Sequence, residues 1–189
     1  MSGTKVRKLV LGLVFLFSFG ALAGCGEDAK VVPKGPNNQG FYNLGWDIEF
    51  AGTSSNSPNY LLGYQINVPA ATNLEKIALI GKVAGASVHI GLYEDDGAGN
   101  PQNLVAEVPA TPIAVGVNEF TLAAPVPLVA GNYWYMAVYD VIGKIGKDTV
   151  NFGTIKYFVH PFGDPLPLTF PAYTTDVFQY LNYYLVVAD

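Results

Sequence analysis

The sequence predicts an all-β protein, and three observations support that prediction. The 189 residues include 21 glycines and 13 prolines, and aromatic residues make up 13% of the chain. Charged residues make up only 13%, which excludes a disordered chain, because such chains are rich in charge and poor in aromatics. From Phe41 onward, short apolar runs alternate with turn clusters about every 8 to 15 residues. We therefore expect a single β-sandwich, jelly-roll-like, of about nine to ten antiparallel strands.

Each apolar run with two-residue alternation indicates a strand. In the clearest case, one face carries Val88, Ile90 and Leu92. The other face carries His89, Gly91 and Tyr93. The predicted strands span 41–50, 60–68, 74–82, 87–94, 104–108, 117–122, 132–141, 149–160 and 177–187. The segment 161–171 contains prolines at 161, 165, 167 and 171, so it is not expected to form regular structure.

The N-terminus has the pattern of an export signal. Lys5, Arg7 and Lys8 precede an apolar run of 15 residues, 9–23, which is short for a membrane-spanning helix of about 20 residues. The run ends in Leu22-Ala23-Gly24-Cys25, which resembles the lipobox of bacterial lipoproteins. That resemblance implies a signal peptide over 1–24 and lipid attached to Cys25. Because Gly26 follows in place of aspartate, it also implies the outer membrane if the host has two membranes.

Residues 25–40 are predicted to be the lipidated cysteine and a flexible polar tether, and 41–189 the β-sandwich domain. After removal of 1–24, the chain keeps seven lysines, no arginine and 15 acidic residues, a formal charge of −8. Nucleic-acid binding needs a basic surface, so this charge argues against it. It also argues against docking on anionic lipids, which leaves membrane attachment to the acyl chains.

A second resemblance covers 74–141. The motif residues are 88–95, Asn100-Pro101, and the strand Gly131-Asn132-Tyr133-Trp134. This stretch is similar to a recurring β-sandwich module of secreted and lipid-anchored bacterial proteins. Such modules often sit beside catalytic or adhesive domains and many have no assigned function, so the resemblance implies the fold rather than the chemistry.

Two predicted strands carry rows of tyrosines. In 132–141, one face carries Tyr133, Tyr135 and Tyr139, and the opposite face carries Trp134, Met136 and Val138. In 177–187, Phe178, Tyr180, Asn182 and Tyr184 share a face, opposite Leu181, Tyr183, Leu185 and Val187. We expect the more aliphatic faces to point to the core. The tyrosine faces either stack under sugar rings or cover the sheet and fill the edge of the core.

A loop after the strand 87–94 is acidic. It contains Glu94, Asp95, Asp96 and Asn100. Oxygen ligands on a flexible loop suit calcium, although the alternating aspartates of an EF-hand are missing. The alternative is a plain hairpin loop, in which these residues provide turn geometry.

Catalytic signatures are weak in this sequence. It lacks the nucleophile motif of α/β-hydrolases and the glycine-rich phosphate loop. His89 and His160 are expected to be structural. Asp47 and Glu49 lie two residues apart on a predicted strand, so they share a face and could form the carboxylate pair of a glycosidase. The alternative is that both line a solvated face.

The function that these observations favour is a lipid-anchored, non-catalytic surface binding or accessory module of the cell envelope. Our first hypothesis for its ligand is carbohydrate, bound by the tyrosine faces, with calcium as a hypothetical structural cofactor. The alternative is an envelope structural or protein-interaction lipoprotein, and a small glycosidase or lyase comes third.

Overall fold

A computed structural model describes residues 40–188. The predicted signal peptide, Cys25 and all of the predicted tether except Gly40 lie outside the described residues. The described chain forms eleven strands: β1 Phe41–Gly45, β2 Gly52–Thr53, β3 Tyr60–Val68, β4 Thr72–Gly81, β5 Ser87–Asp95, β6 Pro101–Pro112, β7 Gly116–Leu128, β8 Gly131–Tyr139, β9 Gly146–Val159, β10 Thr174–Leu181 and β11 Tyr183–Ala188. Within residues 40–188, no helix is long and apolar enough to cross a membrane.

The strands form two antiparallel sheets packed as a sandwich, which confirms the predicted fold class. The small sheet has the order β1-β11-β4-β7, and the large sheet has the order β10-β9-β3-β8-β5-β6, with β2 paired to β9. The main core lies between the sheets and includes the inward-facing residues of β3, β5 and β8. Alternation of apolar and polar residues along each strand directs one face inward, as a sandwich requires.

Eight of these strands follow jelly-roll connectivity. With β2, β9 and β10 set aside, the other strands can be counted one to eight along the chain. The small sheet then has the order 1-8-3-6 and the large sheet 2-7-4-5. This interlocking of two Greek keys is the arrangement of a jelly roll. β9 and β10 are additions that widen the large sheet beyond β3.

Several predicted strands have wrong ends: those predicted over 104–108 and 117–122 span Pro101–Pro112 and Gly116–Leu128. Two other predictions are wrong in a way that changes the local fold. The strand predicted over 41–50 ends at Gly45, and residues 46–50 form a loop. The strand predicted over 177–187 is two strands, because the chain leaves the large sheet after Leu181 and joins the small sheet at Tyr183. Asn182 lies between them, fully buried. Its side-chain amide donates to the carbonyls of Trp46 and Ile48 and its oxygen accepts the Phe50 N–H, so it holds the 46–50 loop against the crossover.

A second, smaller core covers the outer face of the large sheet. Trp134, Met136 and Val138 of β8 are buried there and not in the main core. The cover is the proline-rich segment 160–173, called here the strap, which contributes Leu166 and Phe170. As predicted, the strap has no regular strand or helix; an isolated bridge joins Thr169 to Asn103 of β6.

Candidate functional site

Three of the tyrosines singled out from the sequence lie in the main core. Tyr133 is 5% exposed, and Tyr135 and Tyr139 are fully buried. The Tyr135 ring stacks on that of Tyr183 with ring centroids 4.4 Å apart, and its hydroxyl donates to the Ala78 carbonyl at 3.0 Å. Burial raises the pKa of Tyr135 well above its usual value, so the phenol stays protonated. These rings fill the sandwich and do not form an exposed row for a ligand.

The other two tyrosines are separated by the crossover. Tyr180 lies on β10, half-buried against the main core, with its ring 4.6 Å from that of Trp46. Gly153 on the neighbouring strand makes room for it, because a Cβ there would come within 2.3 Å of the Tyr180 ring. Tyr184 lies on β11 with its side chain buried among Ala78, Ile80 and Val186. The expected single face through 180 and 184 does not exist, since the two residues belong to different sheets.

The carboxylates of the acidic loop are engaged within the protein. Asp95 accepts the N–H groups of Gly97 and Gly99 with one oxygen, and the side chains of Gln65 and Trp134 with the other. Asp96 accepts from Ala98 and from the backbone and side chain of Asn100. The side-chain hydrogen bond from Asn100, followed by that from the Ala98 N–H, holds the Asp96 pKa below its usual value.

A lysine completes this loop. Lys156 of β9 is 5% exposed, and its ammonium donates to the Gly99 carbonyl, to Asn100 Oδ1 and to the Tyr173 hydroxyl. It also lies 4.9 Å from the centre of the Trp134 ring. Glu94 is exposed and accepts from the side-chain amide of Asn103 at 3.4 Å. Residues 40–188 contain no cluster of three or more histidine, cysteine or acidic side chains suited to a metal. A hairpin loop whose acidic side chains hydrogen-bond within the protein accounts for the contacts of Asp95, Asp96 and Asn100 without calcium.

The carboxylates and histidines weighed as catalytic groups are not brought together. Asp47 and Glu49 lie in the 46–50 loop and not on a shared strand face, because the strand ends at Gly45. Asp47 accepts from Asn43 at 3.1 Å, and Glu49 forms an ion pair with Lys82. His89 is buried and bonded to Glu107 of β6. His160, just after β9, is buried, and its Nε2 has no hydrogen-bond partner among residues 40–188.

A groove opens where the large sheet extends beyond the small one. Its volume is about 340 Å³, at the low end of small-molecule sites, which span about 300–1,000 Å³. The floor is formed by inward-facing residues of β3, β9 and β10: Tyr60, Leu62, Ile155, Tyr157, Asp176 and Phe178. Because β1 is the last strand of the small sheet on this side, no strand within residues 40–188 lies opposite this floor in the small sheet.

Two tyrosines in this groove form an aromatic pair that is accessible to solvent. Tyr60 is 36% exposed, and Tyr157, paired with Leu62 on β3, is half-buried. Their ring centroids lie 6.1 Å apart in an edge-to-face arrangement. Phe178 is half-buried beside them. The groove therefore presents aromatic surface that is reachable from solvent, whereas Tyr133, Tyr135 and Tyr139 are buried.

The rim of the groove is polar. One wall is the segment Ser55, Asn56 and Ser57, in which both serines are exposed. The backbone of Asn56 is bonded to Gly143 in both directions, which fixes the wall against the loop after β8. On the floor, Asp176 is exposed, and one of its oxygens accepts the Val177 N–H at 2.7 Å.

The groove and the start of the domain lie at opposite ends of the sandwich. β3 begins with Tyr60 in the groove and ends with Val68, about 26 Å away at roughly 3.3 Å per residue. Near the Val68 end, the Thr72 hydroxyl donates to the carbonyl of Ala188, and Ala188 pairs with Phe41, the first residue of β1. The groove thus faces away from the point where the predicted tether joins the domain.

Sequence reasoning missed Tyr60 and Tyr157 as site residues. Alternation within the predicted strands 60–68 and 149–160 assigns each tyrosine to a face. It does not show that the opposing sheet stops short of that face, which depends on the order of strands in both sheets.

No family model matches the chain, and no curated protein or solved structure matches it either.

Proposed function

We propose that this protein is a lipid-anchored, non-catalytic binding module of the cell envelope that binds carbohydrate in the groove at the end of the sandwich. The observation that carries the proposal is the pair of solvent-accessible rings, Tyr60 and Tyr157, inside a groove whose wall bears serine hydroxyls. An aromatic ring packs against the apolar face of a sugar, while hydroxyl and carboxylate groups hydrogen-bond its hydroxyls.

The predicted lipid anchor at Cys25 also supports this proposal. The motif Leu22-Ala23-Gly24-Cys25 resembles a lipobox, and Gly26 after the cysteine is the pattern of outer-membrane lipoproteins where two membranes exist. With lipid on Cys25, the tether 25–40 would join the domain at the end opposite the groove. The groove would then be presented away from the membrane, toward glycans of the envelope or its surroundings.

The acidic residues support a binding role more than a hydrolytic one. A glycosidase of the usual kind needs two carboxyl groups about 5 to 10 Å apart across the scissile bond. The residues that line the groove include one carboxylate, Asp176. Asp47 and Glu49, weighed for this role from the sequence, are engaged by Asn43 and Lys82.

A glycan-array screen tests the proposal. The chain from Gly26 to Asp189 is first checked for folding by circular dichroism and then screened with and without calcium. We expect reproducible glycan binding that does not require calcium. Tyr60→Ala should weaken it roughly tenfold, because it removes one stacking surface. Phe152→Ala is the matched control, since Phe152 is 53% exposed but lies outside the groove. A blank array from folded protein would contradict the carbohydrate proposal.

A second candidate function, docking of an envelope protein, is favoured by the edge of the large sheet. β10 is the edge strand there, and its Val177 is 63% exposed on the face that also carries Phe152 of β9. An edge strand with exposed apolar side chains can pair with a strand of a partner. Crosslinking in the native envelope, compared between wild type, Val177→Lys and Tyr60→Ala, separates the two: loss of a crosslinked protein in Val177→Lys alone supports docking.

A further inference from the structure

We infer that the groove accepts a neutral sugar, with adjacent hydroxyl groups of the sugar donating to Asp176, and that it discriminates against anionic sugars. The inference rests on the proposed function, which names carbohydrate as the ligand, and it adds the chemical class and the residue that selects it. It depends on the charge in the groove and on the hydrogen-bonding capacity that the protein leaves unused there.

Asp176 places a negative charge directly on the groove floor. It lies on β10 opposite Ile155 of β9, and both residues line the groove. The side chain is exposed, and the hydrogen bond identified for it within residues 40–188 is the local one from Val177 N–H to Oδ1. Across that same part of the chain, no salt bridge involves Asp176. Its second oxygen is therefore open to a ligand.

Among residues 40–188, those that line the groove include no lysine, arginine or histidine, although Lys144 reaches its wall. Lys144 approaches the wall, where its ammonium donates to the hydroxyl of Ser55 at 2.5 Å. Ser55 lines the groove and Lys144 does not. A ligand on the floor therefore meets two tyrosine rings, serine hydroxyls and one carboxylate.

This arrangement matches the functional groups of a neutral sugar ring. The C–H face of the ring packs on Tyr60 or Tyr157, and its hydroxyls at the edge of that face act as donors. The open oxygen of the Asp176 carboxylate has two lone pairs and accepts such donors, and hydrogen bonds to a charged acceptor are the stronger ones. A sugar that carries its own carboxylate or sulfate would bring a second negative charge close to Asp176, which is unfavourable in a partly enclosed groove.

Isothermal titration of the full chain, purified from membranes or cell extract in mild detergent, tests this inference. The probes are neutral hexasaccharides of glucose, mannose, galactose and xylose, and an oligogalacturonate of the same length as the anionic counterpart. We expect at least one neutral hexasaccharide to bind at least about tenfold more tightly than the oligogalacturonate.

The role of Asp176 in selecting neutral over anionic sugars is tested by Asp176→Asn, with Asp164→Asn as the matched control. Asp164 is exposed in the strap and does not line the groove. Asp176→Asn should weaken binding of the neutral sugar about tenfold or more, because it replaces a charged acceptor with a neutral amide, whose hydrogen bonds to hydroxyls are weaker. It should also reduce the discrimination against the oligogalacturonate. Asp164→Asn should change neither.

Three outcomes overturn the inference. They are tighter or equal binding of the oligogalacturonate, unchanged neutral-sugar affinity in Asp176→Asn, and no binding of any neutral hexasaccharide. If the oligogalacturonate binds and Tyr60→Ala abolishes its binding, only the ligand class is wrong and the proposed function stands. If nothing binds and envelope crosslinks are insensitive to Tyr60→Ala, the proposed function falls as well.

Discussion

Lys156 is the residue that ties the acidic loop to the rest of the large sheet. Its ammonium is bonded to Gly99 and Asn100 on the loop and to Tyr173 on the strap. A lysine is rarely this buried without partners, and here the partners belong to two separate segments, the loop and the strap. The positive charge that a bound cation would bring to such a loop is therefore supplied from within the chain.

Replacing this lysine should loosen the loop measurably. Lys156→Met keeps the apolar stem but leaves the acceptors on the loop without a donor. We expect the free energy of unfolding to fall by about 1–3 kcal/mol, measured by urea denaturation. Lys147→Met, on the same strand at a half-buried position, should change it by less than about 0.5 kcal/mol. Equal effects of the two substitutions would contradict this role.

The same geometry predicts the response to calcium. Both carboxylate oxygens of Asp95 and of Asp96 already accept hydrogen bonds from the protein. Binding of calcium would require these bonds to break and a cation to approach Lys156. We therefore expect the melting temperature to be the same in millimolar calcium and in chelator. A rise in melting temperature with calcium would revive the metal hypothesis for this loop.

The strap buries side chains on the outer face of the large sheet. Phe170 packs on the ring of Tyr93 at 5.0 Å and on Phe158 at 5.1 Å, and its N–H bonds to Gln102 of β6. Through these contacts it converts the outer face of β5 and β8 into a second core.

This role can be tested within the strap itself. Phe170→Ala removes a ring that is 8% exposed, whereas Leu168→Ala removes a side chain that is 79% exposed. We expect Phe170→Ala to lower the free energy of unfolding by about 3 kcal/mol and Leu168→Ala by less than about 0.5 kcal/mol. Urea denaturation of both variants is the measurement. A small loss in Phe170→Ala would mean that the strap does not stabilise the sheet.

The contrast between the strap and the strands shows what the sequence could predict. β3 spans the residues predicted for it, because alternation and flanking turn residues mark both ends. Tyr183, Leu185 and Val187 lie in the main core as their alternation predicts. The burial of Trp134 and Met136 in a separate core could not be predicted, because it depends on the strap, which lies far along the chain. The crossover at Asn182 was missed because apolar residues continue through it without a turn signal.

At the scale of the whole molecule, the groove is a consequence of additions to a jelly roll. The eight-strand framework pairs the two sheets, and β9 and β10 extend one of them past its partner. The aromatic residues on this extension cannot all be buried, so a groove with accessible rings results. The end of the sandwich that carries the predicted tether lies about 26 Å along β3 from that groove, which suits a module held at a membrane.

Lipid attachment at Cys25 is a prediction about the whole molecule, because it determines where the domain is held. Cys25→Ser removes the thiol on which the lipid would be built, so the variant should lose incorporation of a labelled fatty acid. Ser18→Ala, in the same N-terminal segment, keeps the thiol and should be labelled like wild type. Labelling of Cys25→Ser would contradict lipidation at this residue.

The most direct test of the central claim compares the groove with the opposite face of the large sheet in one binding experiment. The affinity for the best neutral oligosaccharide is measured for wild type, for the double variant Tyr60→Ala and Tyr157→Ala, and for Phe152→Ala. The groove account predicts that the double variant loses at least about tenfold in affinity while remaining folded, and that Phe152→Ala binds as wild type does. Unchanged affinity in the double variant, or loss in Phe152→Ala instead, would contradict the account.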